Sequence, residues 1–277
     1  MSYLEEQRKK AIGLRDKVFK DPGGGIFKNT GREFVLTENH LNLWAGIRED
    51  AIHYFTENRI PFWDSGASPT GHLLSSQIAC LNHLFFVRQR EDIATEILRA
   101  VDNNVKTALK LSNGQNDSGF VDFEVIGRDN YLGEKCHTRG ANSTSIDSAM
   151  LAEMNNGRRK LFFIEWKYVE SYGNYSKATD KGGPTRLRIY SPHLKEPDCP
   201  LENCSLEGLF TEPYYQLMRQ TLLAHNMIKA GEYNAVDYMH LHIIPQSNRE
   251  LLSVNTAVGK LIGNTLTETW SNLLKIF

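Results

Sequence analysis

Three charged residues stand in or near one strongly apolar stretch of the chain, and their types suit metal-assisted hydrolysis. The stretch, 161–169, has the sequence Leu-Phe-Phe-Ile-Glu-Trp-Lys-Tyr-Val, and Asp147 precedes its glutamate by 18 residues. In a β-strand, Glu165 and Lys167 would lie on one face, because side chains alternate between the two faces. Charges on an apolar strand are costly to desolvate unless they have a partner or a metal ion. The pattern therefore predicts a functional site, and the alternative is a buried ion pair of Lys167 with Glu165 or Asp147 that has no catalytic role.

The turn between two predicted strands decides whether Asp147 faces Glu165. The first strand is predicted over 145–154 and is followed by Asn155-Asn156-Gly157. A three-residue loop sets Asp147 opposite Glu165, and Gly157 suits the left-handed position that ends such a loop. A two-residue Asn-Gly loop would instead set Asp147 opposite Trp166, which points to the other face. The first register predicts two carboxylates about 5 Å apart, and the second requires a bulge to bring them together.

Two neighbouring carboxylates are typical ligands for a hard cation such as Mg²⁺ or Mn²⁺. Asp147 and Glu165 would bind the ion, and the backbone carbonyl of Trp166, waters and a substrate phosphate would complete its coordination. A bound ion lowers the pKa of a water, polarises the phosphate and stabilises the leaving oxygen. Lys167 would orient the attacking water, help to deprotonate it, or neutralise charge that develops on the phosphate.

The elements that would position these residues change in type along the chain. Helices are predicted over 1–20, 41–58, 73–90 and 92–111, and three strands over 120–126, 145–154 and 161–169. The stretch 170–210 shows no clear periodicity and is predicted to be a long loop. A helix over 212–229, a strand over 236–244 and one or two helices over 251–274 complete the chain.

Asp147, followed by Glu165-Trp166-Lys167, resembles the signature of the PD-(D/E)XK nuclease superfamily. The predicted element order over 73–245 resembles the αβββαβ core of that superfamily. The resemblance implies a restriction-endonuclease-like α/β fold, in which helices flank a central mixed sheet. It divides the chain into a helical N-terminal extension, 1–72, and a nuclease core with C-terminal helices, 73–277.

Further positions follow from the same resemblance. The helix that contains Gln216 is similar to the glutamine-bearing helix of RecB-like nucleases, which implies that Gln216 supports the site or holds the DNA backbone. Many members add an acidic residue from the first core helix, and here the candidates are Gln77 and Glu96, between which the sequence does not decide. Ile146 precedes Asp147 where the signature's name has proline.

The wider chain is similar to bacterial restriction endonucleases. This resemblance implies an endodeoxyribonuclease that uses Mg²⁺ or Mn²⁺ and cuts DNA, expected to be double-stranded. A homodimer is one form in which such an enzyme cuts both strands. Two alternatives stay open: a catalytically inactive DNA-binding module of the same fold, and a nuclease directed at RNA.

Composition restricts the partners only weakly. The formal net charge is −1, so a DNA-binding surface must come from local clusters, and basic residues cluster at 128–139, 158–160 and 177–195. The four cysteines are too few and too scattered for a secreted disulfide scaffold. No apolar run near the first residue is typical of a signal peptide, and none is long enough to span a bilayer, so we expect a cytoplasmic protein.

Overall fold

A computed structural model of the protein describes residues 1–63, 66–112, 118–139, 143–172, 176–202, 205–253 and 262–275. The helices are α1 (Tyr3–Leu14), α2 (Arg48–Glu57), α3 (Ser76–Leu84), α4 (Glu91–Val101), α5 (Gly183–Tyr190), α6 (Leu206–Leu209), α7 (Tyr214–Lys229), α8 (Arg249–Leu252) and α9 (Leu266–Ser271). The strands are β1 (Gly25–Phe27), β2 (Thr30–Arg32), β3 (Val105–Leu109), β4 (Leu111–Ser112), β5 (Ser118–Gly119), β6 (Asp122–Val125), β7 (Ile146–Met154), β8 (Arg159–Trp166) and β9 (Ala235–Ile243).

The central sheet is mixed, and β7 pairs with three of its strands. β7 is antiparallel to β8 along one edge and to β3 and β6 along different halves of the other edge. β9 lies beyond β8 and runs parallel to it. Since a parallel neighbour requires a crossover connection, the chain passes through α7 between β8 and β9. This arrangement confirms the predicted central mixed sheet with flanking helices.

Both faces of the sheet are buried, and β8 supplies side chains to each. Leu161 and Phe163 lie in the cluster that contains residues of α7 and α9. Phe162 and Ile164 lie in the cluster that contains residues of α2, α3 and α4. The continuous apolar run of β8 follows from this double burial, which is typical of a central strand covered on both sides. Glu165 and Lys167 interrupt that run and are themselves buried.

The N-terminal stretch 1–72 is less helical than predicted, because it also contains the β1–β2 hairpin. Leu43 and Phe55 from this stretch pack in the same cluster as Phe162 of the sheet. Asp21 is buried and fixes the loop before β1, since its carboxylate accepts hydrogen bonds from the backbone N–H groups of Gly23, Thr37 and Glu38. The hairpin is therefore anchored to the chain around it.

The helix predicted over 92–111 is wrong in its second half. The helix α4 ends at Val101, and residues 105–109 form β3, which pairs with β7 through Leu109 and Leu151. The backbone N–H of Asn104 donates to the Asp102 carboxylate at 3.0 Å, and this turn separates the two elements. Apolar residues continue at a spacing of four across the turn, so the helical pattern did not stop where the helix does.

Three other predicted boundaries also change. The helix predicted over 41–58 is confined to α2, the helix predicted over 73–90 continues beyond α3 only as a 3₁₀ turn (Phe85–Gln89), and α5 lies inside the stretch predicted to be one long loop. Pro184 lies in the first turn of α5, a position that proline favours. Among the described residues, no helix is long and apolar enough to cross a membrane.

Candidate active site

The β7–β8 hairpin has the three-residue loop of the first predicted register. The backbone N–H of Gly157 donates to the Met154 carbonyl at 2.9 Å, and Gly157 has a φ of 78°, in the left-handed region. Ser148 pairs with Ile164, so continuing the ladder by one step sets Asp147 opposite Glu165. The backbone N–H of Trp166 donates to Asp147 Oδ2 at 2.7 Å, which holds the aspartate against the end of β8.

Glu165 is the centre of a buried polar network, with a relative exposure of 2%. Lys167 Nζ donates to Glu165 Oε1 at 2.6 Å and to Gln216 Oε1 at 2.9 Å. Gln216 Nε2 donates to the same Glu165 oxygen at 2.7 Å, and the Tyr172 hydroxyl donates to Gln216 Oε1 at 2.9 Å. The structure thus brings Glu165, Lys167 and Gln216 together, as their predicted roles require.

Gln220 also belongs to this network, and sequence reasoning missed it. Its Nε2 donates to Glu165 Oε2 at 2.5 Å and to the Ser145 carbonyl at 3.2 Å. Gln220 lies four residues after Gln216 on α7, and residues at that spacing share one face of a helix. The spacing of four residues between Gln216 and Gln220 is the sequence feature that could have predicted this contact. It does so only when Gln216 is already known to face the sheet.

Asp147 lies in an environment that disfavours its negative charge. Burial raises its pKa, Glu165 raises it further, and the opposing effect of Lys167 leaves it well above the usual value. For Lys167, burial lowers the pKa, but Glu165 and other negative groups outweigh that effect and raise it well above the usual range. The site therefore holds more negative charge around Asp147 than Lys167 alone compensates.

Glu124 adds a third carboxylate beside this pair. It lies on β6 between Phe123 and Val125, which pair with β7 on either side of Asp147. The backbone of Glu124 has a φ of 50°, in the left-handed region, and this conformation interrupts the β6–β7 hydrogen-bond ladder at Glu124. Burial raises the pKa of Glu124, and the charge of Glu165 contributes to that rise. Backbone strain of this kind is often retained at functional sites.

The structure separates the two candidates for an added helix residue. Gln77 Nε2 donates to Glu124 Oε1 at 2.7 Å, so α3 reaches the acidic residues. Ser145 Oγ donates to the other Glu124 oxygen at 2.9 Å. Glu96 lies on α4 with 71% of its side chain exposed and pairs with Arg99 on the same helix. Gln77, and not Glu96, therefore lies at the site.

The donor set can be tested for its fit to a cation. Within the part of the chain that the structure describes, no three histidine, cysteine, aspartate or glutamate side chains form a ready-made metal site. Asp147 and Glu165 nevertheless suit Mg²⁺, which commonly takes one or two protein carboxylates and keeps waters and phosphate as its other ligands. Burial, and after it the charge of Glu165, raises the pKa of Asp147, and a bound divalent cation would oppose both effects. The Asp147 and Glu165 carboxylates therefore suit a divalent cation. The backbone carbonyl of Trp166 stays a predicted third ligand.

The basic clusters do not all border this site. Residues 158–160 lie at the hairpin end of β8, about 20 Å along the strand from Glu165. Lys160 is paired there with Asp102 and Asp237, at 3.2 Å from each. Arg139 does reach the site, where its side chain donates to the Glu124 carbonyl at 2.7 Å. The hairpin cluster therefore does not border the candidate site.

An open cleft of about 1090 Å³ leads to the acidic residues. Asp147, Glu124, Gln77 and Arg139 contribute to its lining, together with residues of the N-terminal stretch. Glu165 and Lys167 are not in the lining, because they lie deeper, under α7. Asp147 is thus the predicted metal ligand that a substrate in the cleft meets first.

A second cavity, of about 560 Å³, lies between α7, β9 and α9. His240 and His242 line it and lie on the same face of the sheet as Glu165, which is the register partner of His242. Their ring centroids are 4.8 Å apart, and burial lowers the pKa of His242 to about 4. Burial also lowers the pKa of His240 and so favours the neutral form of both imidazoles. The described residues provide no third ligand for a metal there.

The fold is thus a mixed sheet flanked by helices, and its register sets Asp147 opposite Glu165 on adjacent strands. The chain belongs to the REase-ARP family, described as restriction endonuclease associating with ARP, which matches residues 6–276. No match to the chain was found among curated proteins or among solved structures.

Proposed function

We propose that the protein is a divalent-metal-dependent nuclease of the PD-(D/E)XK type that hydrolyses DNA phosphodiester bonds. The β7–β8 register carries the proposal, because it sets Asp147 opposite Glu165 with Lys167 Nζ 2.6 Å from the glutamate. Membership of a family named for restriction endonucleases supports the same conclusion and favours DNA as the substrate. The expectation of a double-stranded substrate cut by a homodimer stays a prediction from the sequence resemblance.

Asp147 and Glu165 would hold Mg²⁺ or Mn²⁺, with the Trp166 carbonyl as a further ligand. A cation bound there polarises the phosphate and lowers the pKa of a water. Gln216 and Gln220 support Glu165 from α7, each through one amide donor. These amides fix the carboxylate without adding charge.

In the proposed mechanism, Lys167 acts as a hydrogen-bond donor toward the attacking water or the phosphate. An ammonium group has three N–H donors, and two of those of Lys167 are directed at Glu165 and Gln216. The Tyr172 hydroxyl is a third hydrogen-bonding neighbour of Lys167. The attacking water or a phosphate oxygen would therefore replace one of these three contacts. In hydrolysis, the attacking water gives up a proton as its oxygen forms a new P–O bond, and the leaving oxygen takes up a proton as its bond to phosphorus breaks. Lys167 would hold the water and offset the negative charge that develops on the phosphate.

The test is cleavage of plasmid DNA, duplex and single-stranded oligonucleotides and RNA by the purified full chain, with Mg²⁺, Mn²⁺ or EDTA. We expect metal-dependent cleavage that Asp147→Ala and Lys167→Ala each abolish, with circular dichroism unchanged. Glu96→Gln is the matched control, because this exposed side chain lies away from the site, and it should retain full activity. Unchanged cleavage by either site variant would refute the assigned roles.

The main alternative is a DNA-binding module without catalysis. The hydrogen bonds to Glu165 favour this alternative, because each of its carboxylate oxygens already accepts a hydrogen bond from a side chain of the protein. Such a module would bind DNA in a salt-dependent way and cut nothing in any metal. If the enzyme is directed at RNA, the same experiment would show cleavage of the RNA and not of the DNA substrates.

A further inference from the structure

Three aromatic side chains line the same cleft as Asp147 and Glu124. They belong to Phe27 on β1, Trp63 and His72, and we call these three residues the aromatic wall. The ring centroid of Phe27 lies 4.4 Å from that of His72 and 5.6 Å from that of Trp63. Trp63 is still 50% exposed, although the other two rings are largely covered. Part of the Trp63 side chain is thus open to solvent at the cleft.

This wall is connected directly to the acidic residues. Gln77 Oε1 accepts a hydrogen bond from the backbone N–H of Trp63 at 2.9 Å, while Gln77 Nε2 donates to Glu124 at 2.7 Å. One side chain therefore holds the backbone of Trp63 at a fixed position relative to Glu124. Asp147 lines the same cleft. A ligand that contacts the indole would therefore lie in the same cleft as Asp147, a residue of the proposed metal site.

Bases inside a DNA duplex are stacked on their neighbours and present only their edges to the grooves. The open cleft that Trp63 and Asp147 both line could therefore offer the face of an indole only to an unpaired nucleotide. Aromatic side chains bind such nucleotides by stacking, with little regard to sequence, because every base has a π-face.

We propose that the aromatic wall stacks on a base of an unpaired strand, with Trp63 as the principal contact, while the phosphate of that strand lies at Asp147. The inference rests on the proposed nuclease function and names its substrate class: DNA that presents unpaired nucleotides at the site, as a single strand or an unpaired end. Trp63 is then a specificity-determining residue, and Gln77 positions it.

The experiment measures binding in EDTA, where cleavage does not interfere. A single-stranded oligonucleotide that carries one 2-aminopurine is titrated with the full chain, and anisotropy and fluorescence quenching are recorded together. The same sequence annealed as a blunt duplex is measured in parallel. We expect the single strand to bind at least tenfold more tightly and its 2-aminopurine to be quenched. Trp63→Ala should weaken that binding by about 5- to 150-fold, the effect of losing one stacked base, and Trp63→Phe should restore most of it.

Trp44→Ala is the matched control, since this tryptophan is also exposed, at 58%, and lies outside the cleft lining. It should bind like the wild type. A thermal unfolding curve for each variant tests whether the fold is retained. Equal binding by Trp63→Ala and the wild type, or tighter binding of the duplex, would overturn the inference.

Failure of the inference and failure of the proposed function give different results. Asp147→Asn should lose cleavage and keep single-strand binding and quenching. If Asp147→Asn still cuts, the nuclease mechanism is wrong even where stacking is observed. If Asp147→Asn is inactive and Trp63→Ala binds normally, the nuclease assignment stands and the stacking role of Trp63 is wrong.

Discussion

Replacing Lys167 with methionine should destabilise the protein far more than removing a surface lysine does. The ammonium donates to Glu165 at 2.6 Å, and the two side chains are only 9% and 3% exposed. Methionine fills a similar volume but leaves the buried carboxylate with two amide donors and no counter-charge, from Gln216 and Gln220. Removing one partner of a buried ion pair costs about 3–5 kcal/mol.

The assay is urea unfolding at pH 7 in EDTA, followed by tryptophan fluorescence. A domain stable by about 5–15 kcal/mol survives such a loss, so the variant should still fold. Lys229→Met is the control: Lys229 is 52% exposed and pairs with Asp198 at 2.8 Å, and such surface pairs contribute no more than about 1 kcal/mol. The double variant Glu165→Gln, Lys167→Met removes both charges and should recover most of the lost stability.

Divalent metal supplies a second readout on the same variants. If Asp147 and Glu165 bind the cation, Mn²⁺ at 100 times its Kd should stabilise Lys167→Met by about 2.7 kcal/mol, and the double variant by much less. A loss in Lys167→Met no larger than that in Lys229→Met would refute the account of a buried charge that depends on its partner. An equal response of the single and double variants to Mn²⁺ would refute metal binding at this pair.

Two further predictions concern elements that frame the site. Burial raises the pKa of Asp21, but hydrogen bonds from Gly23, Thr37 and Glu38 lower it by more, so the folded pKa lies below the usual value of 3.8. Its charge therefore stabilises the fold above about pH 4, and this stabilisation is lost as the pH falls through the folded pKa. Asp21→Asn should lower the free energy of unfolding, measured in urea, by about 2–3 kcal/mol at pH 7 and by much less near pH 2. A loss that is independent of pH would contradict this account. Gly157→Ala should lower the free energy of unfolding by about 1–2 kcal/mol. The cause is the φ of 78° and not a clash, because an added Cβ would meet no atom within 4 Å. An unchanged thermal midpoint would show that the turn tolerates a side chain.

The strands of the site and their register could be predicted from the sequence because the determining interactions are local. The alternation around Glu165 and Lys167 defines their shared face, and the loop that ends at Gly157 fixes which residue lies opposite. Both features depend on residues close together in the chain. The same local logic failed at β3, where apolar residues kept a helical spacing past the turn at Asp102.

Only the tertiary structure decided which distant residues join the site. Gln220 meets Glu165 because α7 packs across the sheet, and Gln77 meets Glu124 because α3 packs on it from the opposite side. The aromatic wall belongs to a stretch whose sequence carries no sign of a cleft. Contacts between residues 47 to 55 positions apart depend on how the elements pack, and packing leaves no periodic pattern in the sequence. The sequence alone therefore determined the predicted carboxylate pair, and the packing of elements determined its supports and the cleft that leads to it.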